Sequence, residues 1–119
     1  MIIWIASYPK SGNTWVRSFL TAYYFCENGI FDINKLSLIE DYPNKQFFKE
    51  KVKKGEIHKH WETSQKDIRD QKKVKFLKTH NSLITAFGND FTKPEYSLGE
   101  IYVIRDQRNV IIAVKNNNN

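Results

Sequence analysis

Apolar residues near the N-terminus change from a strand-like run to a helical period within a few positions. Residues 2–6 are β-branched, aromatic or small, which is typical of a buried strand, and Pro9 ends that run. Beyond Asn13 apolar residues recur at intervals of three and four, which predicts an amphipathic helix that ends near residues 28–29. These apolar positions are Val16, Phe19, Leu20, Tyr23 and Tyr24. The first unit is therefore predicted to be a strand, a loop and a helix.

The middle of the chain has a weaker pattern. Residues 41–73 are polar and charged, so we interpret them mainly as connection, with short helical patterns at 46–53 and 64–71. Residues 74–78 and 99–104 predict two further strands, and a last helix is expected from about Gln107.

Strands that are separated by long or helical connections favour parallel pairing with right-handed crossovers. We therefore expect an α/β fold with three layers, α/β/α, around a parallel sheet. Polar motifs follow the predicted strands, in residues 8–15, 77–80 and 101–113. Because binding sites in such folds lie at the carboxyl ends of the strands, these motifs should meet at one edge of the sheet.

Length, charge and cysteine content narrow the class of protein. The 119 residues suffice for one domain, 1–119, and not for two separate cores. The formal net charge of +6 favours anionic partners such as nucleotides, sulfated compounds, nucleic acids or an anionic membrane surface. Cys26 is the single cysteine, which excludes an intrachain disulfide. The sequence has no signal-peptide pattern and no apolar run of the ~20 residues that span a bilayer, so we expect a cytoplasmic protein without membrane insertion.

The loop after the first predicted strand has the features of a phosphate site. A loop that leaves a strand and enters a helix directs backbone N–H groups and the positive end of the helix dipole at one point. Gly12 permits close approach of the backbone, Lys10 adds charge, and the hydroxyls of Ser11 and Thr14 add donors. Trp15 offers a flat face for an adenine ring. The lysine precedes the glycine, so the motif is not Walker A, and Lys-Ser-Gly alone would also suit an ordinary capped turn.

Two further polar motifs follow the later strands. His80 could accept a proton from an attacking hydroxyl or amine because histidine titrates near neutral pH, although a structural surface histidine suits the same pattern. The third strand ends in Arg105 and Asp106. An apolar strand that ends in aspartate is also typical of a Walker B carboxylate that holds Mg²⁺, which makes a kinase or other nucleoside triphosphatase the main competing enzyme. Against it, Arg105 would place positive charge where that metal binds.

Together these motifs resemble the cytosolic-type sulfotransferases that use 3′-phosphoadenosine 5′-phosphosulfate. The string YPKSGNTW at residues 8–15 is similar to the family's 5′-phosphosulfate loop, usually written YPKSGTTW, and differs from it at Asn13. The KTH tripeptide at 78–80 and the segment 101–110 resemble two other motifs of the family. The resemblance implies a P-loop NTPase-like sulfotransferase fold.

The resemblance also implies a role for each matching residue. Lys10 would contact the 5′-phosphate and the leaving bridging oxygen, Lys78 would stabilise the sulfuryl group, and His80 would be the catalytic base. Arg105 would bind the 3′-phosphate, a role that suits its planar fork of donors. The 5′-phosphate would be held by Ser11, Gly12, Asn13 and Thr14, and adenine would stack on Trp15.

The third motif departs from the family's pattern. Gln107 replaces the usual proline, Asn109 replaces a frequent aspartate, and Ala113 stands where the family has a phosphate-binding serine. The missing hydroxyl predicts weaker binding of the 3′-phosphate.

The predicted activity is sulfuryl transfer from 3′-phosphoadenosine 5′-phosphosulfate, the cosubstrate, to a hydroxyl or amine on a small-molecule, lipid or sugar acceptor. Because family members are considerably longer, the resemblance implies that this chain is the N-terminal part of a truncated domain. A nucleotide kinase or NTPase and a non-catalytic fragment are the alternatives.

Two other patterns do not support a site of their own. His58 and His60 have no cysteine or further histidine nearby, and the surrounding lysines oppose a bound cation. The basic residues within 45–75 are interspersed with acidic ones and lack a nucleic-acid-binding signature. We expect neither a metal nor a nucleic-acid partner.

Overall fold

The first strand and helix form where the apolar pattern predicts them. In the computed structural model, which describes residues 1–49, 51–81 and 83–117, β1 spans Ile2–Ser7 and α1 spans Asn13–Phe25. The helix ends earlier than predicted because Cys26 adopts an extended conformation, and the next residues form a separate 3-10 turn at Glu27–Gly29. The chain therefore opens with the predicted strand, loop and helix.

The remaining strands and helices follow in chain order. They are β2 (Glu40–Asp41), α2 (Trp61–Asp70), β3 (Lys75–Thr79), β4 (Thr85–Ala86), β5 (Asn89–Asp90), β6 (Ser97–Val103) and α3 (Gln107–Asn117). Short 3-10 helices lie at Ile33–Leu38, Lys45–Phe47 and Ile57–His60. No helix in the described ranges is both long and apolar enough to cross a membrane.

Four strands form one parallel sheet in the order β2-β3-β1-β6, and β4 and β5 form a separate antiparallel hairpin. The central strand β1 pairs with β3 through Trp4 and Leu77 and with β6 through Ile5 and Ile101. Because all pairings in this sheet are parallel, the carboxyl ends of β1, β3 and β6 lie along the same edge. The predicted parallel α/β arrangement is confirmed.

Helices cover both faces of the sheet. Successive side chains of a strand point to opposite faces. On one face Trp4 and Leu77 pack in a single cluster with Trp61 and Ile68 of α2. On the other face Phe76, the neighbour of Ile3, contacts the ring of Tyr24 of α1 at 5.2 Å between centroids. The layers are therefore α1, sheet and α2, which confirms the three-layer prediction.

The core on the α2 face is aromatic and nearly closed to solvent. Phe91 lies 5.2 Å from Trp4 and from Trp61 and 5.9 Å from Tyr42, measured between ring centroids, in tilted and edge-to-face contacts. Such rings bury about 150–250 Å² each and favour these geometries. The buried Gln65 donates to the Phe91 carbonyl at 2.6 Å and accepts from Thr92 at 2.6 Å, so its amide is paired inside the core.

The inward face of α1 is polar, which the apolar periodicity did not predict. Asn13 and Thr21 are buried, whereas Phe19, Tyr23 and Tyr24 are exposed. Arg17, between the two buried residues, donates to the carbonyls of Ile39 at 2.6 Å and Leu36 at 3.5 Å. Hydrogen bonds to backbone carbonyls therefore anchor this side of the helix.

The segment 41–73, predicted as connection, supplies much of the core. Tyr42, Trp61 and Ile68 are all buried there. A helix forms at Trp61–Asp70, earlier than the predicted 64–71, but the helix predicted at 46–53 is reduced to the 3-10 turn Lys45–Phe47. The turn ends there because Phe48 adopts an extended conformation. Residue 50 of that prediction lies outside the described residues.

Candidate active site

A cleft of about 580 Å³ lies at the carboxyl edge of the sheet. We call it the strand-end cleft. Its lining comes from the loop after β1, the start of α1, the end of β3 and the residues after β6. The lining residues are Pro9, Lys10, Gly12, Asn13, Thr14, Trp15, Ser18, Lys78, His80 and Arg105. Every predicted site residue except Ser11 therefore lines one cleft, and Ser11 is buried in the same loop.

The loop after β1 curls so that its backbone can face a ligand. Lys10 has φ 64° and Gly12 has φ 99°, which are both left-handed conformations. Left-handed residues within a turn allow successive N–H groups to form an anion-binding concavity. Gly12 is the N-cap of α1, and because glycine has no side chain it cannot cap the first turn of the helix. These N–H groups and the positive end of the helix dipole are left for an anion.

Asn13 fixes this loop to the strand through its side chain. Its Nδ2 donates to the carbonyl of Ile5 at 3.1 Å and to the hydroxyl of Ser7 at 3.0 Å, and the residue is buried. Among the described residues its Oδ1 has no hydrogen-bond partner. The side chain therefore fixes the start of α1 to the end of β1.

His80 is held with one ring nitrogen directed inward. Its Nδ1 lies 2.7 Å from the carbonyl oxygen of Ser7 and 3.5 Å from the Ser7 hydroxyl. Since a carbonyl can only accept, Nδ1 carries the proton in this contact. In the neutral ring Nε2 is then the unprotonated nitrogen. An exposed histidine in this tautomer can accept a proton from a group in the cleft.

Lys78 lines the cleft but also makes an ion pair. Its Nζ lies 3.1 Å from Oδ1 of Asp41, which ends β2, and Asp41 is also 3.8 Å from Nη1 of Arg17. The Lys78 side chain is 18% exposed, so it is largely covered by protein. The predicted sulfuryl-stabilising cation therefore has a carboxylate partner, whose own side chain is 58% exposed.

Arg105 connects the third motif to the first. Its Nη1 donates to the carbonyl of Lys10 at 3.0 Å. The adjacent Asp106 is bound by Arg108 through its side chain and its backbone N–H, and the side-chain hydrogen bond is the main cause that lowers the pKa of Asp106. The Asp106 carboxylate is thus paired with Arg108, whose side chain is 88% exposed.

Trp15 stands at the open side of the cleft. Its side chain is 75% exposed, and its ring stacks on Phe19 at 6.3 Å with an angle of 12° between the planes. The exposed ring provides a preset flat surface. Ala113, which stands at the position where the resemblance implies a serine, lies on α3 and is half-buried.

Sequence reasoning missed the residues that hold the site's side chains in place. Asp41 pairs with Lys78, and the carbonyl of Ser7 accepts from His80. Ser18 also lines the cleft. A two-residue edge strand has no periodic signal, and the only local hint of its end was an aspartate two residues after the apolar Ile39. The discounted His58 and His60 do not join a metal cluster: within 1–49, 51–81 and 83–117, no group of three His, Cys, Asp or Glu could hold a metal ion.

Comparisons with known proteins add one finding. A family model described as "Sulfotransferase domain" matches residues 2–119. Searches of curated proteins and of solved structures gave no match.

Proposed function

The chain belongs to the sulfotransferase domain family, whose general chemistry is sulfuryl transfer, and we propose that its donor is 3′-phosphoadenosine 5′-phosphosulfate. The acceptor in this proposal is a hydroxyl or amine of a small molecule, a lipid or a sugar. One observation carries the proposal: three chain segments bring Lys10, Lys78, His80 and Arg105 into the strand-end cleft.

The cleft suits a large anionic nucleotide. Its volume of about 580 Å³ is in the ordinary range for small-molecule sites. Lys10, Lys78 and Arg105 supply three cations, and the turn at Gly12 adds backbone donors. The exposed ring of Trp15 offers a stacking surface for adenine. Charge, donors and an aromatic face therefore match the phosphates, the sulfate and the base of this cosubstrate.

Each cation has a separate task in the proposal. The cosubstrate supplies the sulfuryl group and leaves as 3′-phosphoadenosine 5′-phosphate. Lys10 neutralises the 5′-phosphate side of the breaking bond, with the backbone of Ser11, Gly12, Asn13 and Thr14 around it. Lys78 faces the transferred group, and Arg105 binds the 3′-phosphate. Catalysis then depends mainly on positioning and on charge that is already in place before the reaction.

His80 is the base in the proposal. The acceptor's O–H or N–H proton passes to Nε2, while Nδ1–H stays on the Ser7 carbonyl at 2.7 Å. That carbonyl holds the orientation of the ring and stabilises the imidazolium that forms.

The third motif offers fewer donors than the family's pattern. Ala113 brings no hydroxyl, so Arg105 carries the binding of the 3′-phosphate without that partner. The Arg105 guanidinium is also tied to the Lys10 carbonyl, so a bound 3′-phosphate would be linked directly to the loop around Lys10.

Calorimetric titration with 3′-phosphoadenosine 5′-phosphate, compared with ATP plus Mg²⁺, tests the proposal. We expect a preference for the 3′-phosphorylated nucleotide and a loss of affinity of about 10- to 100-fold in Lys10→Ala, the usual effect of losing a charged hydrogen bond. Lys49→Ala, which removes a largely exposed lysine outside the cleft, is the matched control and should bind like the wild type. A preference for ATP would indicate a kinase or NTPase, and equal binding by Lys10→Ala would exclude the cleft as the nucleotide site.

A further inference from the structure

Asp41, the last residue of β2, lies beside Lys78, the penultimate residue of β3. The two residues are register partners in the parallel pair β2·β3. Oδ1 of Asp41 lies 3.1 Å from Nζ of Lys78, and the next residue, Tyr42, donates its N–H to the Lys78 carbonyl at 2.7 Å. The position of the Lys78 ammonium is therefore tied to β2.

Arg17 holds the segment that presents Asp41. Its Nη2 donates to the carbonyl of Ile39 at 2.6 Å, two residues before Asp41, and its Nη1 lies 3.8 Å from Oδ1 of Asp41. The Arg17 side chain is only 11% exposed. A largely covered cation on α1 thus holds the backbone that carries the carboxylate, and the carboxylate faces one cation from α1 and one from β3.

A carboxylate at this position has two opposing effects on the site. Lysine has a flexible stem, and ordering it costs side-chain entropy. Pairing with Asp41 orders the ammonium before a ligand arrives. The same negative charge offsets part of the attraction of Lys78 for an anion. Asp41 should therefore favour a correctly placed cation and weaken the binding of the nucleotide in the ground state.

We propose that Asp41 is a positioning residue that holds the Lys78 ammonium in the strand-end cleft for the transferred group. This inference rests on the proposed function for the identity of that group. The positioning itself is a property of the protein alone.

The neighbouring pair Glu40 and Lys75 provides a matched control. It joins the same two strands, with 2.8 Å between Glu40 Oε1 and Lys75 Nζ, and neither residue lines the cleft. Glu40 and Asp41 are adjacent on a strand, so their side chains point to opposite faces. Removing either carboxylate deletes one cross-strand ion pair, but only Asp41→Asn changes the partner of Lys78, and it also removes the longer 3.8 Å contact with Arg17.

The kinetic test separates turnover from binding. In Asp41→Asn we expect kcat to fall about 10-fold, while the Kd for 3′-phosphoadenosine 5′-phosphate stays the same or tightens. Asp41→Glu should recover part of kcat, because the longer carboxylate can still reach Lys78, and Glu40→Gln should change both quantities less than about 2-fold. An unchanged or higher kcat in Asp41→Asn would overturn the proposal. So would a loss of kcat that is matched by equal losses of affinity and of unfolding free energy, since that pattern indicates a structural role.

A second measurement does not depend on activity. The Lys78 ammonium can be followed by ¹⁵N side-chain NMR in the free protein, with its signal assigned from Lys78→Arg. Restricted motion in the wild type that becomes free in Asp41→Asn, but not in Glu40→Gln, supports the positioning. Equal mobility of Lys78 in the wild type and in Asp41→Asn overturns it. If the wild type neither binds the nucleotide nor transfers sulfate, the proposed function fails, and the NMR result still decides what Asp41 does to Lys78.

Discussion

The aromatic core on the α2 face and the strand-end cleft differ in how they treat their large side chains. In the core Trp4 and Phe91 are each 2% exposed. At the cleft Trp15 is 75% exposed, and Lys10, His80 and Arg105 are exposed as well. The core stabilises the backbone by apolar burial, whereas the cleft leaves its functional groups open to a ligand. Different side chains therefore stabilise the fold and line the candidate active site.

The two regions share their strands. β1 places Trp4 in the core and ends at Ser7, whose carbonyl holds His80 and whose hydroxyl accepts from Asn13. β3 places Leu77 in the core and Lys78 in the cleft. Strands that are packed in the core therefore position the cleft. A substitution that changes kcat without changing the unfolding free energy, or the reverse, measures how independent the two regions are.

The largest effect is expected at His80, where a substitution should lower kcat strongly and change stability little. If His80 is the base, His80→Ala should lower kcat by about 100- to 10,000-fold, because a positioned general base contributes that much. The unfolding free energy should change by no more than about 1 kcal/mol, since the residue is exposed and loses one hydrogen bond.

Steady-state kinetics and urea denaturation of the same preparation check this prediction. His60→Ala, which removes a histidine outside the cleft, is the control and should keep the wild-type kcat. Normal turnover in His80→Ala would exclude it as the base.

The reverse pattern is expected at Phe91, where a substitution should lower the stability of the fold at a residue that does not line the cleft. Phe91→Ala removes a ring that contacts Trp4, Tyr42 and Trp61 and should cost about 3 to 5 kcal/mol of unfolding free energy. Phe87→Ala, four residues earlier, removes a ring that is 90% exposed and should cost less than about 0.5 kcal/mol. Urea midpoints of the two variants give the difference. Equal midpoints would mean that the core on the α2 face does not stabilise the fold.

Much of the candidate site could be predicted from the sequence because its residues are consecutive. The loop 8–15 and the tripeptide 78–80 follow strands with clear apolar runs, so local patterns place them at strand ends. The parallel sheet then brings those ends together. No local pattern shows that Asp41 pairs with Lys78, since that contact depends on the register of two strands far apart in the sequence.

The core was harder to predict for the same reason. Tyr42 and Trp61 lie in polar sequence and become buried only because α2 packs on the sheet. On α1 the reverse holds: Phe19 and Tyr23 are exposed, while the polar Thr21 is buried. Burial here follows from contacts with distant segments, which helical periodicity does not encode.

The smallest effect is expected at Glu62, which links α2 to the segment before β6. Its carboxylate accepts from Lys93 at 3.0 Å and from Tyr96 at 3.2 Å, and the Lys93 hydrogen bond is the main cause that lowers the pKa of Glu62 from its ordinary 4.5. A lowered pKa means that the folded state favours the ionised form. This stabilisation is therefore present above the ordinary pKa and is lost as the pH falls through the lowered value.

Glu62→Gln should thus be slightly less stable than the wild type at neutral pH, and the difference should vanish in acid. The carboxylate is exposed, so the difference is small and shrinks further in high salt. Urea denaturation across acidic and neutral pH measures it, and a Lys93→Met background should reduce the pH dependence because the main partner is gone. A difference that persists in acid would place the cause in the packing of the substituted side chain instead of in its lost charge. That outcome would mean that even this exposed side chain of α2 contributes to packing. Exposure alone would then not separate the residues that stabilise the fold from those that do not.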